Sequence, residues 1–236
     1  MNRAFRWMHR WLGLLLAVQF VLWMASGLAM SLLDHEAVQG HTHQAPPKPD
    51  ARTWPRGLLS PATVMAGSEH PVLNLETTWL LERPGYRVTT DAGVRLLDAR
   101  TGANLEVDAA TARRIASLDY VGPAAAAAPV LLARADTEAR GHAGPIWRVD
   151  FPDGDDTTLY VSASDGRLLE RRNRTWRWFD IAWMLHIMDY TGREDFNNPL
   201  VVMAAGGGVW IALTGLWLLV SSLRLRAAAS PRPMAR

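Results

Sequence analysis

Two stretches of the chain, residues 11–33 and 199–223, carry no charged residue. Each exceeds the roughly 20 apolar residues that a helix needs to cross a bilayer. The second has a helix start written into it. Asn198 is a favoured N-cap type, and Pro199 stands where the first helical residue would be. Just upstream, residues 174–191 form an aromatic, amphipathic segment carrying one histidine, His186. This pattern predicts an interfacial helix, separated from the last span by a polar break over residues 192–198.

Between the spans the pattern changes to short runs with turn signals. Residues 34–57 are rich in Pro, Gly and His and read as a linker. From Ser60 the chain shows an internal repeat. Tyr86-Arg87-Val88 matches Trp147-Arg148-Val149, and Gly102, Leu105 and Glu106 match Gly166, Leu169 and Glu170. Each copy reads as strand, turn, strand, tight turn and strand. A short helical pattern precedes each, over residues 61–67 and 108–118, the second with Thr111, Ile115 and Leu118 on one face. Residues 123–129, five of them alanine, read as a loop or frayed helix. The expectation is an α+β fold with two helix-plus-antiparallel-meander units, residues 58–107 and 108–173. Neither unit buries much alone, and packing the two together gives a core.

The net charge of the 236-residue chain is only +2, which speaks against nucleic acid as a partner. The absence of cysteine excludes disulfides, thiolate catalysis, iron–sulfur clusters and covalently attached haem. Any metal or haem must be held by His, Met or carboxylates. Many of the eleven tryptophans lie near the two apolar runs, several where an interfacial belt would be. The first run is too long for the apolar region of a signal peptide, and Ala29-Met30-Ser31 is a weak cleavage match, so an uncleaved span is expected. Arg3, Arg6 and Arg10 in residues 1–10 precede it. Arg224, Arg226, Arg232 and Arg236 in residues 224–236 follow the second span, whereas the inner flanks are acidic or mixed. The positive-inside rule then puts both termini in the cytoplasm and residues 34–198 in the periplasm of a bacterium.

Several motifs fall in one order along the chain. His9-Arg10-Trp11-Leu12-Gly13-Leu14 opens the first span, and the Asp165-Gly166-Arg167 turn sits between strands. Leu185-His186 precedes a glycine-containing last span that ends Thr214-Gly215-Leu216-Trp217. Together with the two repeats between two spans, these resemble the PepSY-associated transmembrane family over nearly the whole length. The resemblance implies periplasmic PepSY units and a place in the bacterial inner membrane. It also implies kinship with smaller relatives of ferric-siderophore reductases, which carry b-type haem between membrane-proximal histidines. The larger reductases have four or so spans; this chain has two.

A b-type haem needs imidazole or thioether axial ligands on facing helices. The candidate haem-iron ligands are His9, His35 and His186, with Met24, Met30, Met184 and Met188 as lesser ones. His9 and His35 are separated by about 39 Å along a continuous helix and cannot share an iron. One intrachain pair is then expected, His35 with His186, while His9 would need a partner from another chain, in a homodimer or with a different membrane subunit. The bland alternatives are an interfacial histidine for His186, a member of the basic cluster for His9 and a polar helix exit for His35. His41-Thr42-His43 offers a weaker metal-binding pattern, and His70 and His142 carry no assigned role. The small residues Ala204, Gly208 and Ala212 favour close helix packing, matched by Gly13, Ala17 and Gly27 in the first span. Gln19 is expected to face protein.

No catalytic triad, nucleotide loop or carboxylate pair stands out. The leading expectation is a membrane protein passing electrons through haem b toward ferric-siderophore or related iron reduction, as a component of such a reductase. Its electrons would come from the quinone pool or a cytoplasmic flavoprotein. The rivals are a non-redox, membrane-anchored binding module and an accessory subunit of a larger membrane complex.

Overall fold

The computed structural model describes residues 3–47 and 52–229; Lys48, Arg232 and Arg236 lie outside them. The fold is α+β. The chain divides into a helical unit, Met1–Leu33 with Trp178–Arg236, and a sheet unit, Asp34–Arg177.

The helical unit is built on two long helices, α1 (Arg3–Leu32) and the last helix, Pro199–Ala229. Both are long and apolar enough to cross a membrane, over Arg6–Leu32 and Pro199–Arg224. They run antiparallel: Gly13 faces Ile211, Leu16 faces Gly207 and Phe20 faces Gly208. The start of α1 and the end of the last helix therefore share one end of the pair. Facing positions on α1 recur at alternating steps of three and four, the seven-residue spacing of left-handed helix packing. On the last helix Ala204 is buried and Gly208 packs against Phe20, but Ala212 points outward. The expected four-residue stripe gives way to Ala204, Gly208, Ile211 and Gly215, because a 3.6-residue helix drifts off a strict four-residue line. Ala17 is likewise exposed.

In the sheet unit, α2 (His35–Val38) and α3 (Pro61–Ala66) precede a three-stranded antiparallel sheet of β1 (Val72–Leu80), β2 (Arg83–Thr90) and β3 (Gly93–Asp98). Then α4 (Ala109–Asp119) leads to a four-stranded antiparallel sheet. Its strands are β4 (Val130–Leu132), β5 (Ile146–Phe151), β6 (Thr157–Ser162) and β7 (Leu168–Arg172). The side chains of Ser60 and Asp108 cap α3 and α4 by accepting from the amides of Thr63 and Thr111. The two repeats share one core. Leu80, Leu96, Leu105 and Val107 of the first meet Ala112, Ala116, Val149, Phe151, Leu159 and Val161 of the second. Strand alternation sends Leu97, next to Leu96, to the opposite face under α3 with Val64, Tyr86 and Val88. A salt bridge also ties the repeats: Arg87 Nε on β2 lies 2.9 Å from a carboxylate oxygen of the buried Asp165. That approach is off the hydrogen-bond direction, so the contact is ionic. Burial pushes the Asp165 carboxyl up. Hydrogen bonds from Ser162 and the Arg167 amide, and the charges of Arg167 and Arg87, more than offset it and hold the carboxyl low.

Four expectations need correction. Each repeat gains a leading strand, β1 and β4; β1 is an edge strand with Asn74, Glu76, Thr77 and Thr78 along it, so no alternation marked it. The third strand of the first repeat shrinks to one bridge, Leu97 with Asn104. On α4 the buried face is Ala112 and Ala116, with Ile115 beside them, while Leu118 is exposed. The linker expected over residues 34–57 is tied down along residues 34–45, and residues 48–51 of it lie outside the described residues. Asp34 caps α2, Gln44 bridges Tyr120, and the Ala45 amide donates to Asp119 O. The composition reads as loop, but the backbone groups are satisfied by pairing along the end of α4.

Two glycines are demanded by this packing. Gly40 (φ +77°) would place a β-carbon 2.7 Å from the Arg171 carbonyl oxygen, and Gly166 (φ +72°) one 2.6 Å from Leu80 Cδ1. Both adopt the left-handed region that disfavours L side chains. Gly40→Ala and Gly166→Ala should each destabilise the protein by roughly 2–5 kcal/mol, the sum of left-handed strain and overpacking. Gly154→Ala, which meets nothing within 4 Å, should stay within about 0.5 kcal/mol. Denaturant unfolding followed by tryptophan fluorescence checks all three.

Candidate functional site

The helical unit holds two polar contacts at opposite ends of its apolar pair. At one end His9 of α1 turns its Nδ1 to Thr214 Oγ1, 2.7 Å away on the last helix, and its Cε1 lies against Gly215. At the other end His186 turns its Nδ1 to Ser26 Oγ, 3.1 Å away on α1, and its Cε1 lies against Gly27. Seventeen residues of α1 separate His9 from Ser26, about 25 Å of helix. Ser26 and Thr214 are among the few buried polar residues of the unit, 4% and 5% exposed. Their carbonyl-directed bonds, Ser26 Oγ to Trp23 O at 3.2 Å and Thr214 Oγ1 to Trp210 O at 2.8 Å, keep each hydroxyl satisfied within its own helix. Among the described residues neither Nε2 has a hydrogen-bond partner. Between the two ends Gln19 turns inward as expected, its Nε2 buried without a partner.

The sequence explains how His186 is held. It lies on α5 (Arg174–Ile187), which Asn173 caps by accepting from the Trp176 amide at 2.7 Å. The helix ends one residue beyond His186, where Met188 takes φ +57°. Its open carbonyls are met from elsewhere. Trp23 Nε1 donates to His186 O at 2.6 Å, and Asn198 Nδ2 donates to Ile187 O at 2.8 Å. Asn198 also caps the last helix, accepting from the Val201 amide at 3.1 Å, as its place before Pro199 predicts. The intervening turn is organised by Asp189. Its carboxylate accepts from the amides of Thr191, Gly192, Glu194 and Asp195 at 3.0–3.2 Å. Arg193 pairs with Asp180, and Trp183 Nε1 donates to Arg193 O at 3.1 Å. The residue range 188–198 is thus a clamp that fixes the end of α5.

The remaining candidates fall elsewhere. His35 belongs to the sheet unit, exposed on α2, with Nε2 2.6 Å from Gln39 Nε2. With the Gln39 amide as donor, Nε2 is the acceptor of that contact. The expected pairing of His35 with His186 spans the two units; inside the helical unit, the neighbours of His186 are Ser26, Gly27 and Trp23. Of the methionines, Met24 is largely exposed. His41 pairs with Glu36 and His43 with Asp155, two separate carboxylates. His70 pairs with Asp91 and His142 with Glu170. Among the described residues no group of three or more His, Asp or Glu is placed to hold a metal ion. Sequence reading missed Ser26 as a partner altogether. Its signal was present: a hydroxyl inside an apolar run, followed at once by glycine, as in Thr214-Gly215.

Comparison with protein-family models, curated proteins and solved structures gives no match.

The amides of Asp195 and Glu194, then those of Gly192 and Thr191, hold the Asp189 carboxyl far below its ordinary value of 3.8. A depressed folded-state pKa contributes stability that is complete above the unfolded value and is lost as pH falls toward the folded one. The clamp should therefore be pH-independent from neutrality down to about pH 5 and weaken below about pH 4. Asp189→Ala should speed amide exchange at residues 191–195 above about pH 5, with a smaller effect below about pH 4, and Asp189→Asn, with one acceptor oxygen, should do so by less. Hydrogen–deuterium exchange read by mass spectrometry measures both.

Proposed function

We propose that this chain is a two-pass bacterial inner-membrane PepSY protein in which His9 and His186 each supply an axial ligand to b-type haem, one near each membrane face. Both termini are cytoplasmic and the sheet unit is periplasmic. The reading assigns it to electron delivery for ferric-siderophore or related iron reduction, from the quinone pool or a cytoplasmic flavoprotein. The observation that carries it is the pair of imidazoles at opposite ends of an apolar helix pair, each pinned through one ring nitrogen with the other unpartnered. A pinned imidazole with a bare nitrogen is the donor form haem iron takes. Haem, when bound, supplies one-electron iron chemistry.

The protein's own part is to hold ligands and keep water out. Leu16 and Phe20 pack directly on Gly207 and Gly208 in the middle of the pair. A macrocycle would have to sit outside that contact, at the ends. Each histidine would supply one of its ligands, and a second would come from another copy or another membrane subunit. The exposed apolar faces of both helices, from Leu14, Leu15 and Val18 to Leu213, Leu216 and Trp217, suit either lipid or such helices.

A second reading rests on a different observation. β1 pairs only with β2 among the described strands, and exposed Leu73 and Met65 flank its free edge. An edge strand beside apolar side chains suits an extended peptide, which fits a membrane-anchored binding module without redox chemistry.

Absorption spectra of the detergent-purified protein, oxidised and dithionite-reduced, separate the two. The electron-transfer reading expects a reduced b-type α-band that loses intensity in His186→Ala and in His9→Ala and disappears in the double variant. A colourless protein from haem-replete cells would leave the binding-module reading standing.

A further inference from the structure

The two histidine contacts share one construction, although their chain directions are reversed: α1 supplies the ring at one end and the hydroxyl at the other. In each, a buried hydroxyl followed by glycine faces an imidazole through Nδ1, and the hydroxyl lies within reach of a carbonyl of its own helix. A hydroxyl has a single proton. Given to the carbonyl of Trp210 or Trp23, it leaves the oxygen as an acceptor facing the ring. Nδ1 must then carry the hydrogen, and Nε2 keeps its lone pair. The opposite tautomer would place an N–H at Nε2, where the described residues offer no acceptor. The glycine lets the ring close on the helix. A β-carbon at Gly27 or Gly215 would already touch Cε1, at 3.5 and 3.4 Å, so any branched side chain would push the ring away.

We infer that Ser26 and Thr214 are positioning residues that lock His186 and His9 in the Nδ1–H tautomer and so present Nε2 as the ligating nitrogen at each end. The inference rests on the haem-ligand reading for its ligation step, and on the hydrogen-bond geometry alone for the tautomer. A hydroxyl is a neutral partner. It orients the ring without giving it the imidazolate character that a carboxylate partner confers, so the ligands remain neutral imidazoles.

The test uses full-length protein in detergent, with ¹⁵N-labelled histidine and hemin as the probe. In the haem-free protein, ring ¹⁵N shifts assigned with His186→Ala and His9→Ala should show Nδ1–H for both residues. Ser26→Ala and Thr214→Val should turn the corresponding signal into a mixture of tautomers. On hemin titration each variant should lose 10–100-fold in affinity at its own end, the usual effect of removing an outer-shell partner, and Thr214→Ser should recover it. Wild-type rings protonated at Nε2 would overturn the inference. So would variants that keep both the wild-type tautomer and the wild-type affinity. Failure of the wild-type protein to bind hemin would overturn the haem-ligand reading and the ligation step with it, while the ring shifts would still decide the tautomer.

Discussion

Between two apolar helices, a polar atom turned inward has to be met by the chain itself, because the side chains around it offer nothing. That obligation explains most of what is specific about the helical unit. Imidazoles near the two ends of the pair are matched by two buried hydroxyls, and the carbonyls freed at the end of α5 are matched by Trp23 and Asn198. The glycines and alanine along the seam bring the helices near enough for these bonds to form. Gln19 departs from the pattern, with a buried amide nitrogen that has no partner.

The sheet unit answers the same demand differently. It has solvent on its outside, so its polar groups can be numerous, but those that reach inward are tied by charge. Asp165 is held by Arg87 and Arg167, and the Tyr160 hydroxyl donates to Asp136 at 3.0 Å. Each repeat is too thin to bury its own strands on both faces. The shared core of Leu96, Val149, Phe151 and Leu159 makes one folding unit of the two.

Much of this was legible in the sequence. Charge-free runs, an N-cap before Pro199 and the Gly102–Gly166 equivalence are local signals, and both glycines adopt the same left-handed turn, at φ +74° and +72°. What failed to show depends on partners distant in sequence. β1 is an edge strand with polar positions, so its pairing with β2 leaves no periodic mark. The buried face of α4 is made of alanines, and hydrophobic periodicity weights Ile115 and Leu118 above them. At the candidate site, the sequence marks His9 and His186 as unusual but does not show the hydroxyls they face. It weighs histidines against histidines, whereas Ser26 lies 160 positions from its ring and Thr214 lies 205 positions from His9.

The division of the chain has a consequence for how the protein is made. The helical unit is interrupted in sequence by the whole of Asp34–Arg177. When α1 leaves the ribosome, its seam and the groups at both of its ends have no counterpart. At elongation speeds of about 5–20 residues per second, α1 waits on the order of 10–40 s for the last helix. During that interval the sheet unit can complete its own core. The first helix is therefore exposed to chaperones, lipids or a neighbouring copy's helix while its eventual partner is still being translated. A newly made chain is at its most available for exchange with a sister molecule in that interval.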